Sequence, residues 1–341
     1  MRSFDEYKVL GEPEKAQKSE IWQTAIGLQQ VDGLVPSQYL IDTARENIEG
    51  HITIDEVKAR LNSYYQAKPS AVDDKTEEAD KVSAHITEIL SENTFTFSPA
   101  ELITIHKRLF AGIYEFAGKI RDYNISKEEW VLNGATVLYA SAGSIKATLD
   151  YDFAQEKDFS YKGLTKRQKV EHIADFISRI WQIHPFGEGN TRATAVFTIK
   201  YLRSFGFNVT NDMFAEHSWY FRNALVRANY NDYNNDIFST DEYLLRFFGN
   251  LLLDENNQLH NRDMLIISDT ASDTVKLQND TVNDTVLNLI KANPNITATE
   301  IATKLNISLS TAKRRLKVLK ENGSIERIGS DKAGHWQVNK A

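Results

Sequence analysis

Apolar side chains recur at three- and four-residue intervals along most of the chain, the period that lines one face of an α-helix. Leu102, Ile105, Leu109 and Ile113 make such a stripe over residues 99–114. Val170, Ile173, Phe176, Ile177, Ile180 and Trp181 make a wider one over residues 165–183. Residues 191–205 continue the pattern until Gly206, a residue that favours the left-handed exit from a helix. Further helices are predicted over 37–50, ending at Gly50, over 53–65 and over 218–229. Residues 73–81 carry charge with few large apolar side chains, which predicts a solvated helix face. Six prolines and 16 glycines leave most of these helices uninterrupted.

The pattern changes twice. Residues 129–140 hold two β-branched and aromatic runs around Asn133-Gly134, a pair suited to a type I′ turn because both central residues take positive φ. The predicted β-hairpin is either a connector or a strip whose free edge can dock an extended peptide. Residues 268–284 are rich in Thr, Asp and Asn and read as a linker. Beyond it come short helices over 284–292, with Val286, Leu287 and Ile290 inward, over 301–305 and over 308–322, closed by Gly323. A hairpin from 324–327 and 335–338 follows. This order resembles a winged helix-turn-helix, whose recognition helix would present Ser310, Thr311, Lys313, Arg314 and Lys317, with Lys332 on the wing. Such a module contacts DNA or serves as a protein-docking or dimerising unit, so DNA and a second copy of the chain both stand open as partners.

A length of 341 residues, 41% of them apolar and 26% charged, fits two or three ordinary globular domains. Zero cysteines exclude disulfide scaffolds, thiol nucleophiles, iron–sulfur clusters and cysteine-bearing zinc sites. No apolar stretch near the N-terminus suits a signal peptide, and no run approaches the roughly 18 apolar residues of a membrane span, so a soluble, cytoplasmic protein is expected. The net charge of −7 divides unevenly. From Thr281 onward ten Lys/Arg face five Asp/Glu, a balance of +5, which leaves −12 on the rest. An acidic body with a basic tail predicts that the tail meets a polyanion while the body does something else.

The candidate chemistry lies between the two central helices, in His184-Pro185-Phe186-Gly187-Glu188-Gly189-Asn190-Thr191-Arg192. Pro185 disfavours the α region at His184, so the first helix should end there with its imidazole in the loop. Gly187 and Gly189 permit positive φ and let backbone N–H groups converge as an anion nest beside the next helix N-terminus. Arg192 could grip phosphate oxygens, Glu188 is a hard ligand suited to a Mg²⁺ that also holds phosphates, and His184 can act as general base. Phe186 is expected to anchor the loop to the core.

These residues resemble the signature of the Fic family (the Fido fold), His-x-Phe-x-Asp/Glu-Gly-Asn-x-Arg-x-x-Arg. His106-Lys107-Arg108-Leu109-Phe110 through Ala117-Gly118-Lys119-Ile120-Arg121-Asp122 is similar to the family's upstream helix and turn, and Trp130–Tyr139 to its flap. The resemblance covers about residues 40–250. It implies a mainly α-helical Fido-type bundle with a β-hairpin flap, and transfer of AMP from Mg-ATP to a Tyr, Thr or Ser hydroxyl of a protein. His184 would be the base and Glu188 the metal ligand. Gly187, Gly189, Asn190, Thr191 and Arg192 would hold the phosphates, and the flap the target backbone. Tyr220, Phe221 and Asn229 are the nearest matches to the family's adenosine site. The expected organisation is an N-terminal helical segment 1–65, a catalytic domain 66–265, a linker 266–283 and a small α+β winged helix 284–341.

The sequence departs from the family twice. The second arginine of the signature is Ala195, so the γ-phosphate lacks its usual cation. The family's inhibitory pattern, Ser/Thr-x-x-x-Glu-Gly/Asn, survives as Glu49-Gly50 with Arg45 in the Ser/Thr position. The resemblance implies that Glu49 fills the γ-phosphate region against Arg192 and regulates less tightly; the other reading of Gly50 is an ordinary helix end. The alternative function is a nucleotide-binding, DNA-associated regulator with weak or no transferase activity.

Overall fold

The computed structural model describes residues 4–9, 12–67, 74–207, 209, 212–266, 286–287, 289–291, 293–305, 312–313, 316–317, 319–320, 325–328 and 335–338. They fall in two compact units, Met1–Leu265 and Ile266–Ala341. The first is built from α1 (Asp5–Val9), α2 (Pro13–Gly27), α3 (Gln38–Ile48), α4 (Ile54–Gln66), α5 (Asp74–Ser91), α6 (Pro99–Leu109), α7 (Ile145–Asp158), α8 (Lys166–Ile183), α9 (Asn190–Ser204), α10 (Asp212–Ala228) and α11 (Glu242–Leu252), with 3-10 turns between some of them.

Local chemistry sets the starts of several helices. Ser37 caps α3, Ser98 caps α6 ahead of Pro99, and Thr53 with Glu56 and Thr165 with Gln168 form capping boxes on α4 and α8. Helix α9 is buried along most of its length, between α6 and α8, while α10 packs on α2 and α11. This buried hairpin of α8 and α9 carries the loop of interest at its tip.

Three expectations change. The charged stretch at 73–81 is the first half of α5, and Asp80 is fully buried, not solvated. Its carboxylate accepts from Ser37 N–H at 2.7 Å, from the Ser37 hydroxyl and from the Tyr65 hydroxyl at 2.6 Å, which replaces its water shell. The helix predicted over 99–114 ends at Leu109, because the chain turns through Phe110 and through Gly112 at φ 74. In the 129–140 segment the turn forms as expected, with φ 53 at Asn133, φ 88 at Gly134 and Ala135 N–H donating to Leu132 O at 3.1 Å. The flanking runs make no ladder. Trp130–Leu132 is a 3-10 turn that sends Val131 and Leu132 into the core, and Glu129 N–H to Ala135 O at 2.9 Å joins the two arms.

In the second unit, α12 (Ala298–Leu305) and the antiparallel strands β1 (Ile325–Ile328) and β2 (His335–Val338) enclose a small core that includes Ile290, Ile301, Leu316, Leu319 and Ile325. Lys313 and Lys317 are exposed; Ser310, Thr311, Arg314, Lys332 and the linker residues 267–283 lie outside the described residues. Among the described residues no helix is long and apolar enough to cross a membrane.

Candidate active site

Helix α8 ends at His184, which adopts φ 50, a left-handed conformation unusual for a side chain with a Cβ. The buried guanidinium of Arg121 holds it there. Arg121 Nε donates to His184 O at 2.8 Å and Nη1 to Tyr123 O at 2.6 Å, while Nη2 reaches Ala140 O and Ile183 O. The Arg121 N–H donates to Pro185 O at 2.9 Å. One side chain thereby satisfies the last carbonyls of α8 and ties them to the base of the 129–140 segment.

The His184 ring is buried, 3% exposed, and packs 4.1 Å from the Tyr139 ring. Its Nδ1 lies 3.1 Å from Trp181 O. A carbonyl can only accept, so Nδ1 carries the proton and Nε2 keeps a basic lone pair. Burial, followed by the charge of Lys127, holds the imidazole pKa well below its ordinary value. The ring is therefore neutral at neutral pH, the state a proton acceptor needs.

The loop beyond is braced from below. Phe186 is 1% exposed and stacks at 3.7 Å on His106, as the anchoring role expected of it requires. Gly118 N–H donates to His106 Nδ1 at 2.9 Å, so Nε2–H donates to Glu188 O at 3.0 Å. Burial lowers the His106 pKa to about 4. Asn190 closes the loop on itself, accepting from Phe186 N–H at 2.9 Å and donating to Phe186 O at 2.8 Å, so both ends of its amide serve the backbone. Thr191 Oγ1 accepts from Trp181 Nε1 at 2.9 Å. Of the two glycines, Gly189 takes φ 75, and a Cβ on it would lie 2.2 Å from Phe110 Cζ. Gly187 has no positive φ, and a Cβ on it would lie 2.6 Å from the hydroxyl of Tyr123, an exposed side chain that can move aside.

Charge is distributed differently from the expectation. The Arg192 guanidinium is 1% exposed and already engaged, with Nε 2.7 Å from Asp32 Oδ2, Nη2 2.6 Å from Glu78 Oε1 and Nη1 3.1 Å from Gln29 Oε1. It also lies over the Phe110 ring at 4.8 Å. Ala195 is fully buried. Glu49 is not on Arg192: its Oε2 pairs with Lys15 at 2.9 Å and it bonds the Tyr7 hydroxyl, because α3 presents it to α2 and α1. Tyr220 and Phe221 are 2% and 0% exposed, Phe221 inside an aromatic cluster with Phe214, Phe247 and Phe248. Asn229 donates to Ser178 Oγ at 2.8 Å. The Tyr220 hydroxyl is buried without a hydrogen-bond partner among the described residues.

Glu188 is 54% exposed and its Oε2 pairs with Lys127 at 2.8 Å. No group of three or more His, Asp, Glu or Cys side chains among the described residues could cage a metal ion. A lone carboxylate suits Mg²⁺ when substrate phosphates supply further oxygens, so Glu188 fits that ion as a co-ligand.

Several residues that shape this site carry no local signal in the sequence. Gln29, Asp32 and Glu78 reach Arg192 from far upstream. Glu129 is 1% exposed and is held by Arg222 at 2.9 Å and by the Tyr139 hydroxyl at 3.1 Å, which fixes the ring against His184. Arg121 and His106 stand in the segment that resembled the family's upstream helix and turn, and that resemblance is the signal that pointed to them.

Residues 96–202 match the Fic/DOC family and residues 285–326 the winged helix-turn-helix DNA-binding family. The chain thus carries a Fic/DOC domain and a C-terminal winged helix-turn-helix. The protein adenylyltransferase VbhT of Bartonella schoenbuchensis is 28% identical over 137 residues, 40% of this chain and 26% of that protein. The chain therefore spans about a quarter of the length of that relative. A crystal structure of BepC, a VirB-translocated effector protein from Bartonella tribocorum with bound AMPPNP, covers 58% of this chain and 83% of that one at 19% identity and a TM-score of 0.35.

Proposed function

We propose that this Fic/DOC-domain protein is a protein adenylyltransferase that moves AMP from ATP to a Tyr, Thr or Ser hydroxyl. The observation that supports this most is the state of His184, a buried neutral imidazole with Nδ1 engaged and Nε2 basic, at the mouth of a loop that runs into the N-terminus of α9. In this reading Nε2 takes the hydroxyl proton and the oxygen bonds the α-phosphorus. The bond to the bridging oxygen breaks, and pyrophosphate leaves. Loop amides from Gly187 to Asn190 and the positive end of α9 stabilise the charge that develops on the phosphate oxygens. Glu188 would hold Mg²⁺, which supplies Lewis-acid neutralisation of the phosphates when bound. Asn190 and Thr191 act by fixing the loop, and Arg192 by fixing the first turn of α9. The target would lie along residues 135–140, where Leu138 is 84% exposed between buried Val137 and Tyr139.

Buried Ala195 and the engaged Arg192 favour a second reading, a regulator that binds nucleotide and contacts DNA through the winged helix but transfers poorly. Intact-mass analysis after incubation with Mg-ATP separates them. An AMP adduct on the chain or a target, absent in His184→Ala, supports transfer. Nucleotide binding without any adduct supports the regulator.

A further inference from the structure

The arginines around the loop are already engaged. Arg192 serves Asp32, Glu78 and Gln29; Arg121 serves carbonyl oxygens; Arg222 serves Glu129 and Val31 O. Position 195, from which a further cation would have come, is an alanine buried in α9. The ammonium of Lys127 differs from all of these in its partner. It sits 2.8 Å from Glu188, and the side chain is 23% exposed. Lys127 N–H donates to Thr136 Oγ1 at 3.0 Å, which ties the residue to the opposite arm of the 129–140 turn.

The electrostatics make this pair an exchangeable one. An ammonium has three donors and no preferred plane, so it can keep Glu188 and accept another anion, or trade one for the other. A polyphosphate entering beside Glu188 would bring several negative charges against a carboxylate, and would need a cation between them. The field of Lys127 also reaches the imidazole of His184, where it is the main influence after burial.

On the premise that the loop binds a nucleoside triphosphate, we propose that Lys127 is the phosphate-binding cation of this site, turning from Glu188 to the phosphate chain when nucleotide enters. The cation missing at position 195 is then supplied from the segment that leads into the hairpin turn. Grip on the nucleotide becomes tied to the position of the element proposed to dock the target.

The test is calorimetric titration of the full chain with Mg²⁺ and the α,β-methylene analogue of ATP (AMPCPP), whose P–CH₂–P bridge cannot break to release a leaving group, so that it reads binding alone. Lys127→Met should raise Kd about tenfold or more, as expected for a lost charge-assisted contact, and flatten its dependence on salt. Lys127→Arg should stay within about threefold of the parent. Lys127→Gln serves as a second neutral variant if Lys127→Met does not keep the parental unfolding temperature. A folded neutral variant that binds AMPCPP as tightly as the parent, or tighter, overturns the proposal and leaves the proposed function standing. If the parent itself binds no AMPCPP, the premise falls and the proposal with it.

Discussion

Replacing Arg192 by methionine tests the claim that this side chain is structural. Its guanidinium is 1% exposed, and three of its nitrogens face Asp32, Glu78 and Gln29 at 2.7, 2.6 and 3.1 Å. Removing one member of a buried ion pair costs roughly 3–5 kcal/mol, because the remaining charges stay desolvated. Asp32 is 28% and Glu78 16% exposed, so water can relieve part of that cost, which points to about 3 kcal/mol. For a unit of this size that lowers Tm by roughly 6–12 °C. Thermal unfolding followed by tryptophan fluorescence reports on the first unit, which holds Trp22, Trp130, Trp181 and Trp219. The triple variant Asp32→Asn, Glu78→Gln, Arg192→Met removes the stranded charges and should regain most of the loss. A single-variant loss under about 1 kcal/mol, or a triple variant no more stable than the single one, would refute the reasoning.

Other expectations follow from the bracing of the loop. His106 is neutral when folded, with a pKa of about 4, while the unfolded chain takes up a proton below about pH 6.5. Its contribution is thus complete above pH 6.5 and lost as the pH falls toward 4, about 3 kcal/mol in all; urea unfolding across that range should show a shallower slope in His106→Gln. Gly189→Ala and Gly206→Ala both place a Cβ at positive φ, 75 and 79, yet only the former meets Phe110. The Gly206 variant should lose about 1 kcal/mol and the Gly189 variant clearly more, by chemical denaturation. Arg121→Lys removes most of the carbonyl latches on His184 and Ile183, so under the proposed function AMP transfer measured by intact mass should slow at least tenfold, with a smaller change in nucleotide affinity.

The sequence made the loop legible because nine adjacent residues carry it, and the periodicity of 165–183 and 191–205 marked the helices that flank it. The wider site was hidden for a geometric reason. Gln29, Glu78 and Glu129 reach their arginines across 93 to 163 positions of chain, and a spacing rule looks only a few residues ahead. Charge was also a poor guide at 73–81, where Asp80 and Glu78 are partnered inside the fold. The strand prediction at 129–140 read β-branched and aromatic residues as ladder formers. Burial of Val131 and Leu132 used the same side chains to pack a 3-10 turn.

The partners of Arg192 also set how far this protein can be trimmed. A fragment limited to residues 96–202 would keep the whole loop but leave Arg192 without Gln29, Asp32 and Glu78. A cut at residue 66 would restore Glu78 alone. An excised piece that keeps every partner of Arg192 has to reach back to Gln29, so its extent is set by what one arginine touches and not by the extent of the sequence motif.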